Sequence, residues 1–192
     1  MRRTLTLAAA PSLFLGACLA TGQPAPVRYF SGEAATPTGA RVAPGAERLR
    51  VRDVRAAGHL KERMARRLSD VEVEFRELER WTEPPLAYLE RALLEELFER
   101  GGLRRSEARD APALDVALVA FDEVAGPGPS VHVAFALRLT GADGDSLYDR
   151  TVERRLPLDE PGAAGVAHSL SLALRHAAAQ AAEEIAGVLA AR

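Results

Sequence analysis

Cysteine occurs once in these 192 residues, at Cys18, and lysine once, at Lys61. A lone cysteine excludes an intramolecular disulfide framework and a multi-cysteine zinc site. The formal net charge is −2. If Arg2 and Arg3 leave with a signal peptide, 23 basic residues stand against 27 acidic ones. That balance argues against a nucleic-acid binder, which would carry a basic surplus or stripe. No apolar run after residue 20 approaches the length of a membrane span. Chemical signatures are also missing: there is no H-E-x-x-H, no G-x-S-x-G elbow, no phosphate loop and no G-x-G-x-x-G. The four histidines, His59, His132, His168 and His176, form no ligand spacing. Asp143 and Asp145 fall short of a calcium loop, which needs more oxygen ligands and a closing glutamate. The expectation is a non-enzyme with no cofactor and no metal.

What is present begins at the N-terminus. Arg2-Arg3 form a charged n-region, and Leu5 to Leu15 an apolar h-region too short to span a membrane stably. Leu15-Gly16-Ala17-Cys18 then resembles a lipobox, with small residues before a cysteine that receives the lipid. Residues 1–17 are read as the signal peptide and Cys18 as the lipidation site. Several acyl chains at about 0.8 kcal/mol per buried CH₂ would anchor the chain firmly. Leu19 and Ala20 follow, not Asp, which resembles the outer-membrane sorting pattern. Residues 18–47 carry Pro24, Pro26, Pro37 and Pro44 and are read as a tether, with a first strand at Val27 to Phe30 inside it. Fully flexible, residues 19–47 would have an r.m.s. reach of roughly 30 Å.

Residues 48–192 are read as a single folded domain. Its organising stretch is Val71 to Gly102. Val71, Val73 and Phe75 alternate with Glu72, Glu74 and Arg76, the period of a half-buried strand. At Arg80-Trp81 the period becomes helical: Leu86, Leu89, Leu93 and Leu97 form a stripe that Gly101-Gly102 ends. Thr82 is the expected N-cap, with Pro84-Pro85 in the first turn. Trp81 and Arg80 mark the corner, as a contact for a partner or as the cap of a core. Alternation predicts further strands at Leu49 to Val54, Met64 to Leu68 and Val131 to Leu139. Leu114 to Phe121, apolar almost throughout, reads as a central strand. Leu103 to Glu107 is a short edge strand and Ser146 to Leu156 a return strand after the turn at Ala142 to Asp145. Arg63, Arg66 and Arg67 make either a basic face for a partner or lipid headgroups, or a solvated strand edge balanced by Glu72, Glu74, Glu77 and Glu79. Val166 to Ala190 closes the chain as an alanine-rich helix. The sum is an α/β domain: a mixed sheet of about five strands packed by two long amphipathic helices in a layered arrangement.

These pieces together resemble the ABC-type transport auxiliary lipoprotein family, which includes PqiC-like lipoproteins encoded beside MCE-type lipid transporters. The resemblance rests on Cys18 and its lipobox, Arg28-Tyr29-Phe30, Leu49-Arg50-Val51, the Glu79-Arg80-Trp81-x-Glu83-Pro84 corner, the Asp115 to Phe121 strand and the closing helix. The loop Gly58 to Ala65 departs from the Tyr-Leu-Asp-Arg-Pro-Gln-like run usual in that family. The resemblance implies helices on both faces of the sheet, a three-layer arrangement. It implies a lipid-anchored adaptor on the periplasmic face of the outer membrane, whose partners are an MCE-domain protein and its ABC permease and ATPase. Assembly into a homo-oligomer fits the family. The competing readings are a lipoprotein that assists assembly of another envelope component, and a periplasmic lipid-binding module.

Overall fold

Strand β6 (Ala113–Val124) is the spine of the structure. Its apolar run lets it pair on both edges. Along one edge lies β7 (Ser130–Thr140), antiparallel, and beyond it β8 (Ser146–Pro157), also antiparallel. The other edge is shared by two shorter strands placed end to end, both parallel to β6. The first half takes β2 (Arg48–Ala56), with Val51 opposite Leu114 and Val54 opposite Val116. The second half takes β3 (Arg63–Arg67), with Arg66 opposite Glu123. The sheet therefore forks. One arm ends with β5 (Arg104–Arg105) beside β2. The other continues from β3 to β4 (Val73–Trp81) and to β1 (Arg28–Phe30). This computed structural model describes residues 25–32, 45 and 47–192; the lipobox residues Leu15, Gly16, Ala17 and Cys18 and most of the tether lie outside the described residues.

The sheet has eight strands, not about five. The excess is in β1, β3 and β5, which are three, five and two residues long. Each was expected as a short strand, at Val27 to Phe30, Met64 to Leu68 and Leu103 to Glu107, but so few residues do not tell from sequence that all three join the one sheet. β1 ties Phe30 beside Trp81, so only residues 19–27 separate Cys18 from the sheet.

Both helices lie on one face of the sheet, which corrects the three-layer expectation to two layers. Helix α1 (Pro85–Leu94) continues without a break into a π-helical segment, Glu95–Arg100. Leu89, Leu93 and Leu97 of this run are buried, and Leu93 and Leu97 lie against Val51, Val54, Leu114 and Val116. Helix α2 (Ala163–Ala190) lies beside α1 and covers β7 and β8. Its fully buried Ala173, Ala177, Ala178 and Ala181 present little side chain, which permits a close approach. The rows beneath are Val131, Val133, Phe135, Leu137 and Leu139 of β7, all buried, and Tyr148 and Val152 of β8. Polar tips on this face find partners on α2: Tyr148 donates to the Glu184 carboxylate, and Arg154 Nη2 lies 2.6 Å from Gln180 Oε1. Partial burial and the hydrogen bond to Glu184 push the Tyr148 hydroxyl up to about 12.

The helix boundaries have local causes. α1 begins after Pro84 without a side-chain cap, so Thr82 is not the N-cap. Thr82 Oγ1 instead shares a hydrogen bond of 2.8 Å with Tyr88 Oη, which also accepts from the Glu83 N–H at 3.1 Å. The corner is thereby tied to the second turn of the helix. At the far end the Gly101 N–H donates to the Glu96 carbonyl. A Cβ at Gly101 would stand 2.6 Å from that oxygen, so only glycine allows the approach.

Candidate docking face

Among the described residues no helix lies on the other face of the sheet. Strand alternation places Asp149, Thr151, Glu153 and Arg155 of β8 on it, and all four are exposed. Beside them stand His132, Ala134, Ala136 and Arg138 of β7, then Asp115, Ala117 and Asp122 of β6. A bulge at Val119 keeps Leu118 with the core while shifting Ala120 and Asp122 onto the open side. Small side chains form the floor and charged ones the relief. Ala117 and Ala136 floor a shallow pocket of about 120 Å³, walled by Arg55, Asp115, Arg138 and Asp149.

The charges are paired in two groups. In the first, Arg52 holds Asp115 through Nε and Nη2, and Arg138 Nε lies 3.0 Å from Asp149 Oδ2. Arg138 and Asp149 are more than half exposed, so their attraction contributes no more than about 1 kcal/mol to the fold. In the second, Arg67 reaches the fully buried Asp122 with Nη2 at 2.8 Å and Nε at 3.0 Å. Next to it, but facing the helices, Glu123 receives Arg76 at 2.6 Å and Arg66 at 3.4 Å. Arg66 also reaches Glu74 at 3.0 Å. These two carboxylates were not singled out by sequence reasoning. The signal was there: Asp122-Glu123 directly continues an apolar strand, where a carboxylate must be paired if it is buried. Of the three β3 arginines, Arg66 and Arg67 are thus matched mainly by Glu123 and Asp122, with Glu74 the one member of the expected acidic row that joins them, while Arg63 has no ion pair among the described residues.

His132 sits between the groups, its Nε2 3.1 Å from Glu153 Oε1. Burial chiefly lowers its proton affinity; Arg155 and Arg67 lower it further, and Glu153 and Asp122 oppose them. A native pKa below the unfolded value means that the unfolded chain binds the proton more readily, so this residue costs stability as pH falls through about 6.5. The His132→Gln variant is expected to lose less stability than the parent between pH 7 and pH 5. Urea midpoints at the two pH values check this.

Of the residues singled out at the corner, Trp81 turns inward. It is 1% exposed, with edge-on ring contacts to Phe121 at 5.2 Å and Tyr88 at 6.1 Å between centroids. Arg80 alternates to the opposite, open side, beside Tyr29 of β1 and Arg63 of β3. The structure thus separates the two. His168 and His176 are on α2, remote from His132 in the fold, and among the described residues no histidine or carboxylate group has the arrangement of a metal site. The apolar depression between α1 and β2 is filled by its own leucines and valines and has no room for a water molecule.

Comparison with known proteins bears on the same fold. Protein XCC0632 from Xanthomonas campestris superposes with a TM-score of 0.70 at 15% identity, over 84% of this chain and 96% of that one. The hypothetical protein CT253 from Chlamydia trachomatis superposes with a TM-score of 0.57 at 6% identity, over 77% of this chain and all of the other. At such identities the likeness is one of fold. No curated protein matches. The model of the ABC-type transport auxiliary lipoprotein component matches residues 31–185, from the end of β1 into the last turns of α2. A match across most of the chain, over seven of the eight strands and nearly all of both helices, makes this protein a member of the ABC-type transport auxiliary lipoprotein family.

Proposed function

We propose that this chain is a lipid-anchored, non-catalytic component of an ABC/MCE-type transport system that docks a periplasmic lipid conduit at the outer membrane. The family match is the observation that carries the reading. The family is an auxiliary component of transport and not a known enzyme family. Cys18, in its lipobox, is the anchor, and Leu19-Ala20 after it favours the outer membrane. The partners are an MCE-domain protein and, through it, the ABC permease and ATPase that supply energy. The helix-free face of β6, β7 and β8 is the docking surface. Its exposed ion pairs can exchange partners at little cost to the fold, because each contributes so little to it.

The anchor is tested by Cys18→Ser. The variant is expected to lose incorporation of labelled palmitate and to move from the membrane pellet to the soluble periplasmic fraction. Retention of label or of the membrane position would overturn the anchor.

A further inference from the structure

Six large apolar side chains are exposed among the described residues, and five belong to one arm of the sheet. Val27 and Tyr29 are on and before β1, Leu78 is on β4, and Leu68 and Val71 are at the turn between β3 and β4. Val71 is 95% exposed and Tyr29 64%. Val27, Tyr29 and Leu78 are neighbours across the β1–β4 pair, and Leu68 and Val71 stand at the other end of the same arm, so the exposed apolar side chains are concentrated on one part of the sheet. Its cationic companions are Arg63 and Arg80, which share the open side with Tyr29. Among the described residues neither is in an ion pair. Glu62 and Glu77 stand nearby in the chain and leave the surface mixed, not purely basic.

What covers this arm is indicated by where the chain comes from. β1 runs parallel to β4, with Arg28 opposite Glu79, so the residues before Arg28 lead back toward the β3–β4 turn. Only residues 19–27 lie between Cys18 and β1. Fully extended they reach about 30 Å. The β3–β4 turn lies about 20 Å from the level of Arg28, at about 3.3 Å per residue along β4. A lipid on Cys18 therefore holds the bilayer within reach of this arm, which carries most of the exposed apolar residues. Tyrosine and arginine suit that position, because their apolar bodies enter the headgroup layer while their polar ends stay wet and meet phosphate. Sheet twist supplies the geometry. At about 20–25° per strand pair, the four steps from β7 to β1 turn the arm about 80–100° away from the docking face. One face of one sheet can then address a membrane at one end and a partner at the other.

We infer that the β1–β4 arm lies on the phospholipid surface of the bilayer that holds the Cys18 lipid, with Val27, Tyr29, Leu78 and Val71 in the headgroup layer and Arg63 and Arg80 against phosphate. The inference rests on Cys18 lipidation. Lipidation also consumes the single cysteine, so an introduced one can be labelled alone. Leu78→Cys and Val71→Cys, with Asp143→Cys in the distant β7–β8 turn as the reference, are carried by the full lipidated chain and labelled with an environment-sensitive fluorophore. The chains are reconstituted into phosphatidylethanolamine–phosphatidylglycerol vesicles containing a spin-labelled lipid quencher. Circular dichroism checks that each variant is folded. Mass spectrometry of the N-terminal peptide first reads acylation of Cys18. With acylation present, the probes at 78 and 71 are expected to be quenched at least threefold more than the probe at 143. Equal quenching at all three would overturn the membrane contact while the anchor stands. A blue shift at 78 and 71 without lipid quenching would assign the arm to a protein and likewise overturn it. An unmodified Cys18 would remove the anchor and the inference with it.

Discussion

Trp81→Ala is expected to destabilise the protein by about 3–5 kcal/mol, the usual cost of deleting a large aromatic from a packed core. The indole is almost wholly enclosed where the two arms of the sheet meet the start of α1. It bridges Phe121 on the central strand and Tyr88 on the helix, and its neighbour in register is Phe30 of β1. Removing it loosens three elements at once. A domain with the ordinary margin of about 5–15 kcal/mol would keep little reserve. Urea unfolding should show a large drop in midpoint, and the β1 amides should exchange hydrogen faster than those of β7. Trp81→Phe should recover most of the loss. A near-neutral Trp81→Ala would contradict the placement of this side chain as the cap of the core.

Glu123→Ala carries the second large effect. The carboxylate is nearly enclosed and receives both Arg76 and Arg66, so its removal leaves guanidinium groups facing a site without their anion. Breaking a buried pair by deleting one partner costs about 3–5 kcal/mol. Arg76 and Arg66 are one-quarter to two-fifths exposed, and Arg66 keeps Glu74, so the expected loss is nearer 2–3 kcal/mol. Glu123→Gln should lose less, because the amide oxygen still accepts a hydrogen bond. The comparison is Arg138→Ala, whose exposed pair with Asp149 should change stability by no more than about 0.5 kcal/mol. Denaturant titrations of the three variants, with the slope unchanged, check the ranking.

The elements that were legible in the sequence are those with a sustained period. Val131 to Leu139 alternates over nine residues and is β7; Leu114 to Phe121 is almost continuously apolar and is the central β6. The helix after Trp81 and the alanine-rich closing helix follow from their 3.6-residue stripes. The change to π-helical geometry at Glu95 had no counterpart in the pattern, since the leucine stripe runs through it. Layering was misjudged although the evidence stood in β8. Asp149, Thr151, Glu153 and Arg155 alternate as a solvated row, which leaves no apolar surface for a second helix layer. Helices on both faces came from the resemblance, and the charged row decides against them. The pairing of β2 and β3 end to end on β6 depends on contacts 50 and more residues apart, which local period cannot reveal. The same is true of the Arg67–Asp122 and Arg76–Glu123 pairs, separated by 55 and 47 positions.

This architecture suits the docking role proposed above. One side of the sheet is spent on the helices and the core, and the other is left to polar contacts. The forked arm that contains β1 is joined most directly to the N-terminus, while β7 and β8 project from the far side of β6. In that proposal the protein contributes position and affinity, and the energy for transport comes from the ATPase of the system it accompanies.

The most direct test is site-specific photocrosslinking in cells. A photoreactive amino acid replaces Arg138 on the helix-free face of the full lipidated chain, and another replaces Glu183 on the exposed side of α2. The account predicts that the probe at 138 captures an MCE-domain protein and that the probe at 183 does not. Capture by the probe at 138 of only an outer-membrane barrel or peptidoglycan-associated proteins would contradict it.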